Sequence, residues 1–164
     1  FTVLNVICIQ VHLIRVARVM RRMQAQETGM RLHTPVKTLV VDDSASMLAV
    51  IRNLLGRIPD CEIIGEGNSG IQALTMARAF QPALIIMDIY MPMMGGLEAL
   101  SKLKADMPSI QVVMMTSALD PEMREKVMAM GAEECLEKGQ KLLGSLTKIV
   151  ANLCDEHSGN PNEL

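Results

Sequence analysis

Ala83-Leu84-Ile85-Ile86-Met87-Asp88, followed by Ile89-Tyr90-Met91-Pro92, is an apolar run that ends abruptly in a carboxylate. Apolar residues in succession, without alternation, predict a strand covered on both faces, as in a parallel sheet, and Pro82 and Pro92 bracket it. In such sheets the ligand crevice lies beyond the carboxyl ends of the strands. Asp88 is therefore delivered to a functional edge. An acid after a strand can equally be a helix cap or a solvated loop residue, so its meaning depends on what the other strands bring to that edge.

Upstream, residues 38 to 41 predict a short β-branched strand ending at Asp42-Asp43, and the chain from Ser44 a helix with Met47, Leu48, Ile51, Leu54 and Leu55 inward. Residues 61 to 65 predict a second strand, residues 67 to 70 a turn, and residues 71 to 80 a helix packed through Leu74 and Ala77. Downstream, residues 91 to 96 form a Pro- and Gly-bearing loop before a helix over 97 to 106. Residues 111 to 115 predict a fourth strand. Asp120-Pro121-Glu122 opens a helix to residue 130 with a cap, a first-position proline and a first-turn acid. A fifth strand over 134 to 137, a helix over 141 to 153 and a polar tail over 155 to 164 complete the chain. Strands alternating with helices through right-handed crossovers predict an α/β fold, an open parallel sheet with helices on both faces.

Composition narrows the function classes. The 49% hydrophobic content of 164 residues is enough to fill a core for one domain of ordinary size plus an appendage. Phe1, Phe80 and Tyr90 are the whole aromatic set, which argues against a base-stacking platform for single-stranded nucleic acid, and the 15 methionines fill core gaps instead. The net charge of -2 is split: residues 1 to 34 hold five arginines and one glutamate, or +4, leaving -6 for the rest. An acidic main domain disfavours direct nucleic-acid binding. Cys8, Cys61, Cys135 and Cys154 form no Cys-x-x-Cys pair, which fits a reducing, cytoplasmic setting. His12, His33 and His157 lack the spacing of a zinc site or a Ser-His-Asp set, and neither a Gly-x-Gly-x-x-Gly nor a P-loop is present.

Residues 1 to 22 are apolar and then basic, with Ile9, Leu13, Val16 and Met20 in a helical stripe. Three readings stand: the end of a truncated membrane span, a basic amphipathic helix on a membrane or partner, and a segment outside the working protein, with Met20, Met23 and Met30 as candidate starts. The third is favoured. The expected organisation is an N-terminal extension over 1-34, a main domain over 35-154 and a tail over 155-164, with membrane contact only if residues 1-22 are native.

At the carboxyl ends of the strands stand Asp42-Asp43, Asp88, Thr116 and Lys138. Three carboxylates at one edge repel one another, which raises a pKa or recruits a cation, and hard oxygen ligands with open water positions suit Mg²⁺. A carboxylate nucleophile can accept a phosphoryl group when a metal and a lysine offset the charge on the transferring group. Asp88 is the candidate nucleophile, Lys138 the protein cation, and Thr116 a hydrogen-bond donor to the new phosphoryl oxygen, with small Ser117 and Ala118 leaving an approach path. Singly, each of these residues has an ordinary reading as a cap or a solvated side chain. Jointly, every type stands at the end of the correct strand.

Four motifs carry a resemblance: Val40-Val41-Asp42-Asp43-Ser44, then Met87-Asp88-Ile89-Tyr90-Met91-Pro92-Met93-Met94-Gly95-Gly96, then Met115-Thr116-Ser117-Ala118, and Gly131-Ala132-Glu133-Glu134-Cys135-Leu136-Glu137-Lys138. Residues 36 to about 153 resemble the receiver domain of bacterial response regulators, the phosphoacceptor modules of two-component signalling. The resemblance implies a flavodoxin-like, doubly wound five-stranded parallel sheet in the order 2-1-3-4-5. It implies Asp88 as phosphoacceptor from a histidine kinase, a phosphotransfer protein or a small phosphodonor. Asp43, Asp88 and the carbonyl of Tyr90 would ligate Mg²⁺, with Asp42 acting mainly through water, and Thr116 and Lys138 would contact the phosphoryl group. Such a module is a switch and not an enzyme in the ordinary sense, beyond its own phosphorylation and dephosphorylation. Its output is a contact with a protein target on the face of the fourth helix, fifth strand and fifth helix.

This chain departs from the family pattern at Cys135, where an aromatic is usual, and at Gly139, where proline follows the lysine. Both bear on switching more than on phosphorylation, and activation is expected to rely on Thr116 and the loop before the fourth helix. Alternatives are a receiver fragment of a hybrid kinase or methylesterase, a haloacid-dehalogenase-like phosphatase, whose second acid is missing because Tyr90 holds its place, and an unphosphorylated interaction module or flavin binder.

Overall fold

The structure, a computed structural model, describes residues 34 to 158, with side chains to residue 155. The readings made for residues 1 to 33, and most of the polar tail, lie outside the described residues. In chain order the elements are β1 (Val36–Val41), α1 (Ala45–Leu55), β2 (Cys61–Gly67), α2 (Gly70–Phe80), β3 (Leu84–Asp88), α3 (Gly96–Asp106), β4 (Gln111–Thr116), α4 (Pro121–Ala129), β5 (Glu134–Glu137) and α5 (Leu142–Ser158). The strands pair in parallel in the order β2-β1-β3-β4-β5, as the resemblance implied. The chain leaves β1 toward β2, then crosses back over β1 to β3. That reversal puts the ends of β1 and β3 side by side, with Val41 opposite Met87, so Asp42 and Asp88 emerge as neighbours.

The unbroken apolar run of β3 is explained by two cores, one on each face of the sheet. Ile85 and Met87 join Leu39, Val41, Val112, Met114 and Cys135 beneath α2, α3 and α4. Leu84 and Ile86 join Val36, Val40, Val113, Met115 and Leu136 beneath α1 and α5. Successive side chains of a strand point to opposite faces, so a strand buried on both must be apolar throughout. Each such side chain contributes on the order of 1.5–3 kcal/mol by leaving water. Every residue of β3, Asp88 included, is buried.

Three boundaries move by two residues or more from their sequence positions, for identifiable reasons. The first strand begins at Val36 and not at Thr38, because Val36 and Lys37 pair with Cys61 and Glu62. The second strand runs two residues beyond Gly65, because Glu66 and Gly67 pair with Val40 and Val41 after a bulge in which Leu39 lies opposite Gly65. Glycine has low strand propensity, and the ladder overrides it. The last helix continues to Ser158 and does not stop at residue 153, since Leu153 and Cys154 are both buried against the α1/α5 core.

Ser44, Ser69 and Asp120 cap α1, α2 and α4 by accepting from the backbone N–H of Met47, Gln72 and Met123. The Asp120 bond is the shortest, at 2.7 Å. Asp120→Ala should lower stability by about 1 kcal/mol, read as an earlier urea midpoint with unchanged slope. An unshifted midpoint would mean that Pro121 and Glu122 start the helix unaided.

Candidate functional site

The loops at the carboxyl ends of β1 and β3 bring carboxylate oxygens of Asp42, Asp43 and Asp88 within 4.8 Å of one another. Asp42 is fully buried, Asp88 is 4% exposed, and Asp43 faces solvent. Asp42 is held at both ends of the residue: its N–H donates to the Gly67 carbonyl at 3.0 Å, and its Oδ1 accepts the Ser44 N–H at 3.0 Å. Lys138 arrives from beyond β5, whose register is carried on by its N–H donating to the Thr116 carbonyl at 2.8 Å. Its ammonium lies 2.7 Å from Asp42 Oδ2 and 2.9 Å from Asp88 Oδ1.

The electrostatics follow from that layout. Burial pushes the Asp88 carboxyl up from its ordinary value; Lys138 works against this, and Asp42 and Asp43 add to it. Burial works against the Lys138 charge, yet the two carboxylates outweigh it and hold the ammonium's pKa above the ordinary lysine value. One ammonium faces three acids, so with all of them ionised the cluster keeps an excess of negative charge. Asp42 Oδ2 is also buried, with the Lys138 ammonium as its partner. Three carboxylates with that excess of negative charge, two of them buried, and one side open to water through Asp43 form a donor set that fits a hard divalent cation such as Mg²⁺.

Thr116 ends β4 at the same edge and is buried. Its hydroxyl is turned onto its own loop, donating to the Ala118 carbonyl at 3.1 Å and lying 3.3 Å from the Ala118 N–H. Tyr90 lies two residues beyond Asp88 and is 64% exposed. The structure thus gathers Asp42, Asp43, Asp88 and Lys138, with Thr116 at the same edge but engaged elsewhere.

Two contributors escaped the sequence reading. The Ser44 amide on Asp42 was hidden because Ser44 read as the first residue of the helix; it is the cap, with its side chain accepting from Met47. Gly96, the first residue of α3, lies against the Asp88 carbonyl so closely that a Cβ there would overlap it; the Gly95-Gly96 pair was legible only as loop. In the same loop Met93 is held at φ +65°, a left-handed conformation that L-residues disfavour, and its side chain is exposed. Met93→Asn should stabilise the fold by roughly 0.5–1 kcal/mol, since asparagine tolerates that region. A lower melting temperature would show that Met93 packs in a way that its exposure does not suggest.

Residues 38–150 match the family model of the response regulator receiver domain. The chain belongs to that family. Among curated receiver-containing relatives, response regulator protein VraR of Staphylococcus epidermidis is 37% identical over 103 residues, covering 63% of this chain and 49% of its own length. A protein-glutamate methylesterase/protein-glutamine glutaminase of Caulobacter vibrioides is 35% identical over 123 residues, covering 72% of this chain and 36% of its own. The chain spans about half the length, or less, of these curated relatives. Among solved structures, the response regulator domain of Thermotoga maritima CheB is 26% identical with a TM-score of 0.68, over 74% of this chain and 97% of that domain. This is a receiver domain of two-component signalling, and the receiver part of such proteins is not itself a classical enzyme. Among the described residues, no helix is long and apolar enough to cross a membrane.

Proposed function

We propose that the receiver accepts a phosphoryl group on Asp88 from a histidine kinase, a phosphotransfer protein or a small acyl phosphate, and thereby switches a protein contact. The observation that carries this reading is the Lys138 ammonium between the buried Asp42 and Asp88 carboxylates, at 2.7 and 2.9 Å. An Asp88 oxygen attacks phosphorus and the bond from phosphorus to the donor atom breaks. The donor leaves with the electron pair, as imidazole or carboxylate. Later a water attacks the same phosphorus, the bond to Asp88 breaks, and the carboxylate returns with release of inorganic phosphate. Lys138 is placed to offset charge on the transferring oxygens. Thr116 would give up Ala118 to donate to one of them. Asp42, Asp43, Asp88 and the Tyr90 carbonyl would hold Mg²⁺, which supplies further charge stabilisation when bound.

The compartment that fits this role is the cytoplasm, and the output face is that of α4, β5 and α5. Residues 35 to 154 form the receiver, in a response regulator, hybrid kinase or methylesterase. The phosphatase alternative is weakened by the exposed Tyr90 at the position where its second acid is needed.

The test is intact mass after incubation with acetyl phosphate, with Mg²⁺ or with chelator. One phosphoryl group should be gained, only with Mg²⁺, and borohydride trapping should place it at Asp88. No gain by a folded, Mg²⁺-binding protein would leave a module used for contacts alone.

A further inference from the structure

The amino ends of the strands, opposite the acidic edge, hold two thiols that the phosphoacceptor reading does not use. Cys61 is the first residue of β2 and pairs with Val36, the first residue of β1. Its Sγ lies 3.3 Å from Thr38 Oγ1. Thr38 shares a strand face with Val36 and Val40, which line the core beneath α1 and α5, and Cys61 packs against that same core. The Cys61 sulfur is therefore turned toward α1 and α5.

Helix α5 brings the second thiol to the same corner. It starts beyond the carboxyl end of β5 and runs back along the sheet, with Leu142, Leu146, Val150, Leu153 and finally Cys154 packed into the α1/α5 core. Cys154 is its last inward residue and is 7% exposed. Charge places it as well: burial pushes the Cys154 thiol up, and Asp60, Asp155 and Cys61 add to that. Asp60 directly precedes Cys61, and its carbonyl accepts the Val36 N–H at 2.8 Å. The last inward turn of α5 thus lies over the start of β2. A single buried cysteine is ordinarily a small hydrophobe. Here two from elements distant in the chain meet in one cluster, while Cys135, the third described thiol, lies in the core on the opposite face of the sheet.

We propose that Cys61 and Cys154 are an oxidisable pair, which a low-molecular-weight disulfide such as oxidised glutathione converts to an intramolecular disulfide tying the end of α5 to the start of β2. Cys61, the more exposed of the two, attacks the donor as thiolate. The sulfur–sulfur bond of the donor breaks, and one glutathione leaves with the electron pair. The Cys154 thiolate then attacks the Cys61 sulfur and displaces the second glutathione. Two protein thiols are oxidised, the donor is reduced to two thiols, and the two protons given up by the cysteines pass to them. Burial holds both thiols above their ordinary pKa, so the exchange is slow at neutral pH. The device goes beyond phosphoryl transfer. It stands at the end of the domain opposite Asp88 and acts on α5.

The test uses the full chain carrying Cys8→Ser, so that Cys61, Cys135 and Cys154 are the thiols read. It is equilibrated in glutathione buffers of stepped redox poise, quenched with acid, alkylated under denaturing conditions and mapped by peptide mass. Cys61 and Cys154 should lose alkylation together and appear as one cross-linked peptide pair, reversed by dithiothreitol, while Cys135 stays alkylated at every step. In the oxidised protein, amide exchange in the last turns of α5 should slow by about tenfold, with β3 amides unchanged. Cys61→Ser should abolish both the link and the slowing. Cys61 is the partly exposed member, so this variant serves where Cys154→Ala folds poorly. Mixed disulfides with glutathione and no Cys61–Cys154 link would overturn the proposal, as would links between molecules only or links that include Cys135. A Cys61–Cys154 link that leaves α5 exchange at its reduced rate would sink the tether as well. No arm uses a phosphodonor, so the result stands or falls separately from the phosphoacceptor reading.

Discussion

Asp88→Asn is expected to gain no phosphoryl mass from acetyl phosphate under conditions in which the wild type gains one group, and to be more stable than the wild type when no metal is present. The first effect is total because the amide lacks the anionic oxygen that attacks phosphorus. The second follows from the raised carboxyl of Asp88, which burial and two neighbouring acids push upward against the pull of Lys138. A folded-state pKa above the unfolded value means that the ionised form is a cost, present in full at pH above the folded pKa. That cost is relieved as pH falls through the folded pKa toward the unfolded one, so the gap between variant and wild type should close on acidification. Each unit by which the carboxyl is raised corresponds to about 1.4 kcal/mol. Urea unfolding in chelator across pH 4 to 8 (roughly the span of carboxylate linkage) reads it. A variant less stable than wild type at neutral pH would mean that the Lys138 pair outweighs the desolvation of Asp88.

Gly96→Ala is expected to cost more than about 3 kcal/mol and to leave little folded protein. The added methyl would overlap the Asp88 carbonyl oxygen, and would lie 2.8 Å from Met114 Cε and 3.0 Å from the Asp88 carbonyl carbon. Met114 is a flexible side chain and can yield. The Asp88 carbonyl cannot, being backbone of a strand whose five residues are all buried between neighbours on both sides. Helix α3 must then back away, parting the Gly96 N–H from the Ile89 carbonyl, now 2.9 Å apart. Gly144→Ala is the control. A Cβ there meets nothing within 4 Å, in a helix where alanine is favoured by about 1 kcal/mol over glycine. Opposite signs for the two changes are expected in one denaturation series. Equal, small effects would mean that α3 does not press on Asp88 as the structure has it.

The parts of this molecule that were legible in the chain are those set by local periodicity. Leu84 to Met87 had to be an inner strand because a strand packed on both faces has no polar positions, and the alternation of such runs with helical ones leaves an open parallel sheet as its natural arrangement. The same alternation assigned Asp42, Asp88, Thr116 and Lys138 to one edge, since each follows or ends a strand and parallel strands share a carboxyl end. The identity of Lys138 as a cation for the acids needed no coordinates.

What remained hidden depends on contacts between residues far apart in the chain. Nothing around Ser44 shows that its amide would hold Asp42, and nothing around Arg124 that it would donate to the Cys135 carbonyl. The end of α5 was misplaced because its last inward residues, Leu153 and Cys154, are followed by polar ones; burial against the core carries the helix on. Sequence by itself determined the element types, the two-faced burial of β3 and the set of residues at the reactive edge, because backbone geometry repeats every few residues. Only the tertiary structure decided that Lys138 bridges two particular carboxylates, that Thr116 is turned onto Ala118, and that Gly96 must be glycine. Those are matters of an ångström or less between separate elements, set by how the helices settle on the sheet.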